Sequence, residues 1–391
     1  MSEEAFVIIG AALAGAKAAE TLREEGFGGR VVLVGAEPEL PYERPPLSKQ
    51  YLTGEAERDS AHVHPREFYA EQAIELVHAT ASAVDPVEHR VALADGRALS
   101  YDRLLIATGA VPRRPPIPGV EHARTLRTLA DADTLRAAFA GGGSVVVIGA
   151  GWIGSEVAVA ARSHGADVVL IERAATPLER VLGSELGSLF ADLHAAHGVR
   201  LLCGAGVAAI GDASVRLADG TELACDHVVL GVGVAPATEL AVAAELDVDD
   251  GIVTDEYLRT SAPDVFAAGD VACAFHPRYG RHVRVEHWAN ALHQGPAAAR
   301  SMLDRGEPYT RLPYFFTDQY DLGMEYIGLH GPDDRLVVQR PTDELKLQAF
   351  WLDSYNRVTA GMHINDWGAI EAIEQVIDSG EPVDGSVRVS T

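Results

Sequence analysis

Residues 144–172 read SVVVIGAGWIGSEVAVAARSHGADVVLIE, and the order of residue types marks one supersecondary unit. Ser144 to Ile148 is an apolar, β-branched run of the kind buried on both faces in a parallel sheet. GAGWIG follows as a glycine turn, Ile153 to His164 as a helix with Gly165 past its end, and Asp167 to Ile171 as a second strand. A dinucleotide fold needs glycine where strand turns into helix. A side chain there would hold the pyrophosphate off the backbone amides and the positive helix end. Gly149, Gly151 and Gly154 keep the full spacing, and Glu172 ends the second strand, where a carboxylate can accept from both ribose hydroxyls. Alone, GxGxxG is a tight turn; with strand, helix and terminal acid around it, it is a dinucleotide fingerprint.

The same arrangement occurs near the start of the chain. Ala5 to Ile9 reads as a strand, GAALAG as the turn, Ala14 to Glu25 as a helix ended by Gly26, and Arg30 to Val34 as the next strand. Gly10 and Gly15 are in place, but Ala12 stands where the middle glycine belongs, bringing a methyl group toward the pyrophosphate. Ala36 and Glu37 follow at the ribose-binding distance. Between the copies, strands end at Thr108-Gly109, and a proline-rich crossover runs from Pro112 to Pro118. From about Leu312 aromatic-rich strands and an amphipathic helix, Ala369 to Ile377, suggest a smaller α+β domain. The expected class is α/β: two Rossmann-like dinucleotide-binding domains plus a small C-terminal α+β domain.

Composition narrows the function. A chain of 391 residues with 47% hydrophobic and 23% charged residues is an ordinary globular protein of two or three domains. A net charge of −25 disfavours nucleic acid and anionic membrane surfaces. No stretch is long and apolar enough to span a bilayer, so a cytoplasmic protein without a membrane partner is expected. Cys203, Cys225 and Cys273 form no CxxC or CxxxxC pair. His194 and His197 read as surface residues of a helix rather than metal ligands, and Phe350, Trp351 and Trp367 as core; no metal site is expected.

Three further stretches make the chain resemble the FAD-dependent pyridine nucleotide-disulfide oxidoreductases, and within them the ferredoxin reductases that serve bacterial oxygenases. TSAPDVFAAGD, ending in Asp270, is similar to that family's second FAD motif; LLIATGA, with Thr108 and Gly109, to its crossover between cofactor domains; and PYERPPLSKQYL, residues 41–52, to the flavin-side segment of the ferredoxin reductases. The resemblance implies an FAD domain from 1–112 with 249–311, an NAD domain from 113–248, and a C-terminal reductase domain from 312–391. It implies FAD contacts at Gly10, Ala12, Leu13, Ala14, Gly15, Ala36 and Glu37 of the first copy. Others fall at Arg44, Lys49, Ala81, Thr108, Gly109 and Arg127, and at Gly269, Asp270, Glu286, His287 and Trp288. It implies NAD contacts at Gly149, Gly151, Trp152, Ile153, Gly154, Glu156, Glu172 and Arg173, with Gly231, Val232 and Gly233 lying along the nucleotide.

The implied activity is electron transfer from NADH through FAD to an iron–sulfur ferredoxin feeding an oxygenase. Pro45 lies by the isoalloxazine, and a Lys49–Glu156 pair orients the rings; the oligomeric state is monomer or homodimer. Disulfide reductases carry CxxxxC where this chain has Pro, Tyr, Glu, Arg and Ser, so no thiol relay is available. NADH is favoured over NADPH because Glu172 would repel a 2′-phosphate, with Arg173 beside it as the opposing feature. The family's WFWSDQ is YFFTDQ here, Tyr314 to Gln319. An acidic ferredoxin needs a local basic patch, for which Arg44, Arg66, Arg311 and Arg340 are candidates. A quinone, dioxygen or monodehydroascorbate acceptor, or an apoptosis-inducing-factor-like NADH-sensing role, stands as the alternative.

Overall fold

The protein is described by a computed structural model covering residues 4–340 and 345–384. The chain divides into two compact units, one built from Met1–Tyr42, Val63–Ala110 and Pro236–Thr391, the other from Glu43–His62 and Val111–Ala235.

The larger unit is organised on a five-stranded parallel sheet in the order Val265–Ala267, Arg103–Ile106, Ala5–Ile9, Arg30–Gly35, Ile74–His78. The strand Ala5–Ile9 is central, with Ile9 paired to Val34 on one side and Ile106 on the other. Alternation sends its side chains both ways. Phe6 and Ile8 enter a core with Leu22, Leu33 and Leu105, while Val7 and Ile9 enter another with Val91 and Leu99 of a small antiparallel sheet. The helix Leu13–Glu24 covers the first face and packs on the helix Trp288–Met302 in backbone contact. A Cβ at Gly295 would stand 2.3 Å from the Ala14 carbonyl oxygen.

The same unit carries a five-stranded antiparallel sheet in the order Tyr314–Gln319, Leu322–Gly328, Val358–Ile364, Leu347–Leu352, Arg335–Gln339. The helix Ala369–Ser379 buries Ala369, Ile373 and Ile377, spaced by four, against it. Gly361 makes room, since a Cβ there would meet Ile373 Cγ2 at 2.5 Å. Phe350 and Trp351 are buried as expected, but Trp367 is 62% exposed. Its strand has ended by then, and the indole lies over Gly323, where a Cβ would come within 2.6 Å of the ring.

The smaller unit repeats the parallel design: Arg200–Leu202, Asp167–Ile171, Ser144–Ile148, His227–Leu230, Arg124–Thr125. The helix Trp152–Ser163 follows its central strand. His194 is fully buried rather than a surface residue. It lies four residues after buried Phe190 and eight after buried Leu186, on the inward stripe of the helix that continues to Ala196 beyond the kink at Gly183, which outweighs the polarity of one imidazole. No helix of the described residues is long and apolar enough to cross a membrane.

The antiparallel sheet holds one buried ionisable cluster. Glu325 accepts from the Tyr314 hydroxyl through Oε1 and lies 2.6 Å from Nε2 of fully buried His363 through Oε2. The His363 hydrogen bond holds the Glu325 carboxyl below its ordinary 4.5, against the opposing effect of burial. A depressed carboxyl contributes stability that is present above its unfolded value and lost as pH falls through the lowered folded one. Glu325→Gln is expected to cost about 1–3 kcal/mol in denaturant unfolding at pH 7, the difference from wild type closing below roughly pH 4.

Candidate functional site

Both glycine turns close so tightly that the chain itself excludes side chains. In the smaller unit Gly149 has φ +98°, and a Cβ at Gly154 would stand 1.9 Å from the Gly149 oxygen. In the larger unit Gly10 has φ +116°, and a Cβ at Gly15 would stand 2.0 Å from the Gly10 oxygen. The middle position is different. At Gly151 a Cβ would find nothing nearer than Gly231 O at 3.8 Å, and φ is −79°. Ala12, with φ −104°, therefore occupies the equivalent place without strain. Outer glycines serve strand–helix closure; the middle one answers only to what lies outside the turn.

What lies outside meets free helix dipoles. Ala12 and Gly151 are the N-caps of twelve-residue helices, and neither end has a side-chain cap. Their first-turn amides point outward as donors for an anion. The contrast is Leu129–Phe139, where Thr128 and Asp131 form a complete capping box and consume those donors. Arg127 precedes that closed end, its amide donating to Asp131 at 3.0 Å and its carbonyl accepting from the Arg44 guanidinium.

In the smaller unit Glu172 follows the strand Asp167–Ile171, and its two oxygens accept from the amides of Ala150 (2.8 Å) and Ala174 (2.9 Å). The carboxylate is thus fixed beside the turn, while Arg173 is exposed and Ile153 is 42% exposed. Trp152 opens the helix and sets its ring edge-on to Phe190. Gly231 lies against the turn, where a Cβ would meet Gly154 Cα at 2.7 Å; Gly233, with φ +90°, continues past Val232.

Pro45 begins a short 3₁₀ turn, Pro45–Ser48, that delivers Ser48 and Lys49 to the helix bearing Glu156. Lys49 Nζ lies 2.7 Å from Glu156 Oε1, with side chains 9% and 3% exposed. The Ser48 hydroxyl donates to Oε2. Ser48 was not singled out by sequence reasoning, although its place beside Lys49 is the signal that would have found it.

In the larger unit Tyr42 donates to Glu37 at 2.6 Å, and the Thr108 hydroxyl donates to Ala237 O at 2.8 Å next to Gly109. Ala36 follows the strand Arg30–Gly35, and Ala81 starts a strand of the small antiparallel sheet. Gly269, with φ +80°, donates to Gln294 Oε1 at 2.9 Å and places Asp270 before a hairpin leading to Glu286-His287-Trp288. His287 is the N-cap of Trp288–Met302, again without a side-chain cap. Burial pushes its imidazole down to about 4, against the pull of the Asp270 charge, so it is neutral at pH 7. Its Nδ1 has no hydrogen-bond partner. Trp288 sits edge-on to Phe316 of YFFTDQ at 6.1 Å. The uncapped amides and the orphaned imidazole nitrogen fit a phosphate-bearing flavin nucleotide. Of the four candidate basic residues, Arg66, Arg311 and Arg340 are exposed.

All three cysteines are unpaired, and burial raises each thiol, keeping it from acting as a thiolate.

Comparison with known proteins places this geometry. Residues 4–295 match the family described as pyridine nucleotide-disulphide oxidoreductase, and residues 314–388 match the one described as reductase C-terminal. The chain is 40% identical over 348 residues to rhodocoxin reductase of Rhodococcus erythropolis, covering 86% of this chain and 81% of that protein. It is 39% identical over 387 residues to the ferredoxin–NAD(+) reductase component of the anthranilate 1,2-dioxygenase system of Burkholderia cepacia, covering 97% and 95%. The structure resembles the reductase of the covalent putidaredoxin reductase–putidaredoxin complex with a TM-score of 0.93 at 36% identity, covering 98% and 95%.

Glu156→Gln leaves Lys49 buried without its counter-charge, and is expected to lower unfolding free energy by about 3–5 kcal/mol. Ser48→Ala, which removes one hydrogen bond, is expected to cost only about 1 kcal/mol, and denaturant titration compares the two.

Proposed function

Because the chain belongs to the pyridine nucleotide-disulphide oxidoreductase family, with FAD and NAD(P) as its cofactors, we propose that it is an NADH:ferredoxin reductase serving an oxygenase. The observation that carries this reading is the pairing of two dinucleotide turns with a PYERPPLSK segment holding Ser48 and Lys49 where thiol enzymes hold cysteine. Bound FAD supplies the exchange between a two-electron hydride donor and one-electron acceptors. With no reactive thiol available, electrons leave directly to an external carrier. The names of the relatives, reductase components of dioxygenase systems and the partner of putidaredoxin, support an iron–sulfur ferredoxin as that carrier.

The residues divide the work. Gly10, Ala12, Leu13, Ala14 and Gly15 present uncapped amides to the FAD pyrophosphate, and Glu37 takes the ribose. Asp270 and the helix end at His287-Trp288 receive the flavin side, the neutral imidazole adding no charge there. The first cofactor domain is assigned to 1–112 with 249–311, the second to 113–248, and the reductase domain to 312–391. In the second, Gly149, Gly151 and Gly154 take the NAD pyrophosphate, and Glu172 accepts from the adenosine ribose. A 2′-phosphate would bring its charge against a carboxylate already fixed by two amides, which favours NADH. Lys49 and Glu156, locked to each other and to Ser48, position the nicotinamide end; this is orientation, which lowers a hydride-transfer barrier without a protein nucleophile.

Stopped-flow mixing of NADH-reduced protein with a [2Fe–2S] ferredoxin, a quinone or air tests the acceptor. Rapid reoxidation by ferredoxin alone is expected; an NADH-reduced complex that persists for minutes with every acceptor would overturn the assignment in favour of an NADH-sensing protein. Lys49→Met is expected to slow flavin reduction by NADH about tenfold or more, as loss of a positioning contact does. The kcat/KM ratio of NADH to NADPH is expected to exceed about tenfold and to narrow in Glu172→Ala, through loss of like-charge repulsion.

A further inference from the structure

The hairpin formed by Ala272–His276 and Arg281–Arg284 opens onto the two segments assigned to the flavin side. Asp270 stands two residues before its first strand, and Glu286 two residues after its second. Cys273 pairs with Arg284 at that open end, so Arg284 is where the two segments leave the sheet side by side.

The Arg284 side chain is 9% exposed and its guanidinium reaches both segments. Nη1 donates to Glu286 Oε1 at 2.5 Å and stands 3.5 Å from the Asp270 carbonyl oxygen. On the solvent side, Nε lies 3.2 Å from Oδ2 of Asp250, which is 64% exposed. The neighbouring strand makes room for the stem: Gly251 has φ +117°, and a Cβ there would stand 2.9 Å from Arg284 Cδ and 2.6 Å from the Val271 oxygen. Burial opposes the charge, but the bonds to Glu286 and Asp250 outweigh it and raise the guanidinium above its ordinary value.

The helix Trp288–Met302 fastens the same two segments with neutral bonds. Gln294 accepts from the Gly269 amide at 2.9 Å, and Asn290 donates to Val285 O at 3.0 Å. A half-sealed ion pair adds little stability beyond what an apolar side chain of similar size would give. What a guanidinium adds is a planar fork of fixed directions and a charge that does not titrate. Here that charge is spent on two carboxylates, so it contributes no net positive field; its removal would uncover Asp250 and Glu286 beside Asp270.

On the assignment of Asp270 and the His287-Trp288 helix end to FAD, we propose that Arg284 is a positioning residue for the flavin. Its fork holds Asp270 and Glu286, and through Glu286 the helix end that follows, in one fixed arrangement. Its charge keeps the acids around them from opposing the more negative, reduced form of the bound cofactor.

Two readouts on the FAD holoenzyme separate fork from charge. Flavin release after dilution is followed by the rise of free-flavin fluorescence, and the midpoint potential by dye-equilibrated reduction. Arg284→Met loses both functions: release is expected to quicken about tenfold or more, the scale of a charge-assisted hydrogen bond, and the potential to become more negative. Arg284→Lys keeps the charge alone, so its potential stays near wild type while release remains faster. Asp250→Asn, on the solvent side, should leave release within about twofold. Thermal melting of each holoenzyme checks folding, and if Arg284→Met does not fold, Arg284→Lys carries the test. Wild-type release in Arg284→Met or Arg284→Lys, an unchanged potential in Arg284→Met, or equal quickening by Asp250→Asn would overturn the role of Arg284 and leave the cofactor assignment standing. Wild-type protein that retains no flavin would overturn both.

Discussion

The architecture depends on two places where a helix backbone lies against the carbonyl of the strand–turn before it. At Gly15 and Gly154 a single methyl group would sit about 2 Å from a backbone oxygen, inside any contact distance. That closeness sets each helix on its sheet and leaves its N-terminal end facing outward with no side-chain cap among the described residues. Packing and ligand binding are therefore one constraint. A substitution that opens the turn also misdirects the donors, which is why the two cofactor assignments and the two parallel sheets come together.

Electrostatics then separates the roles of the turns. Glu172 is held by two amides of its own turn, so its charge has a fixed position, and a fixed charge discriminates between nucleotides better than a mobile one. The Lys49–Glu156 pair is nearly sealed from solvent and gains a third member in Ser48, so both oxygens of the carboxylate are used. Such a pair adds little net stability compared with an apolar substitute, but it fixes orientation. The neutral imidazole of His287, beside Asp270 at an uncapped helix end, leaves the dipole as the local source of positive potential.

Legibility in the sequence followed the range of the interaction. The strand–glycine–helix units and the terminal amphipathic helix are local patterns, and the structure has them within a residue or two of where the pattern places them. Ala12 was readable as a departure, but its freedom from strain was not, because that rests on the backbone conformation of the turn, where its φ is −104°. His194 reads as polar and exposed from sequence, whereas its inward stripe is set by Leu186 and Phe190. Trp367 looked apolar and was placed inside, whereas its strand stops before it. The Glu325–His363 contact has no sequence signature, since it joins residues brought together only by strand order.

The helix-to-helix contact between Ala14 and Gly295 has a consequence for biosynthesis. It ties residues almost three hundred positions apart, and the sheet beside it needs a strand from Val265–Ala267 as well as one from the N-terminus. The first-made segment leaves the ribosome with its apolar surfaces uncovered and waits for a partner translated much later, while 111–235 emerges as one continuous run after 43–62, the other piece of its unit, has already been made. At roughly 5–20 residues per second the delay lasts tens of seconds, long enough for chaperone capture to compete with aggregation.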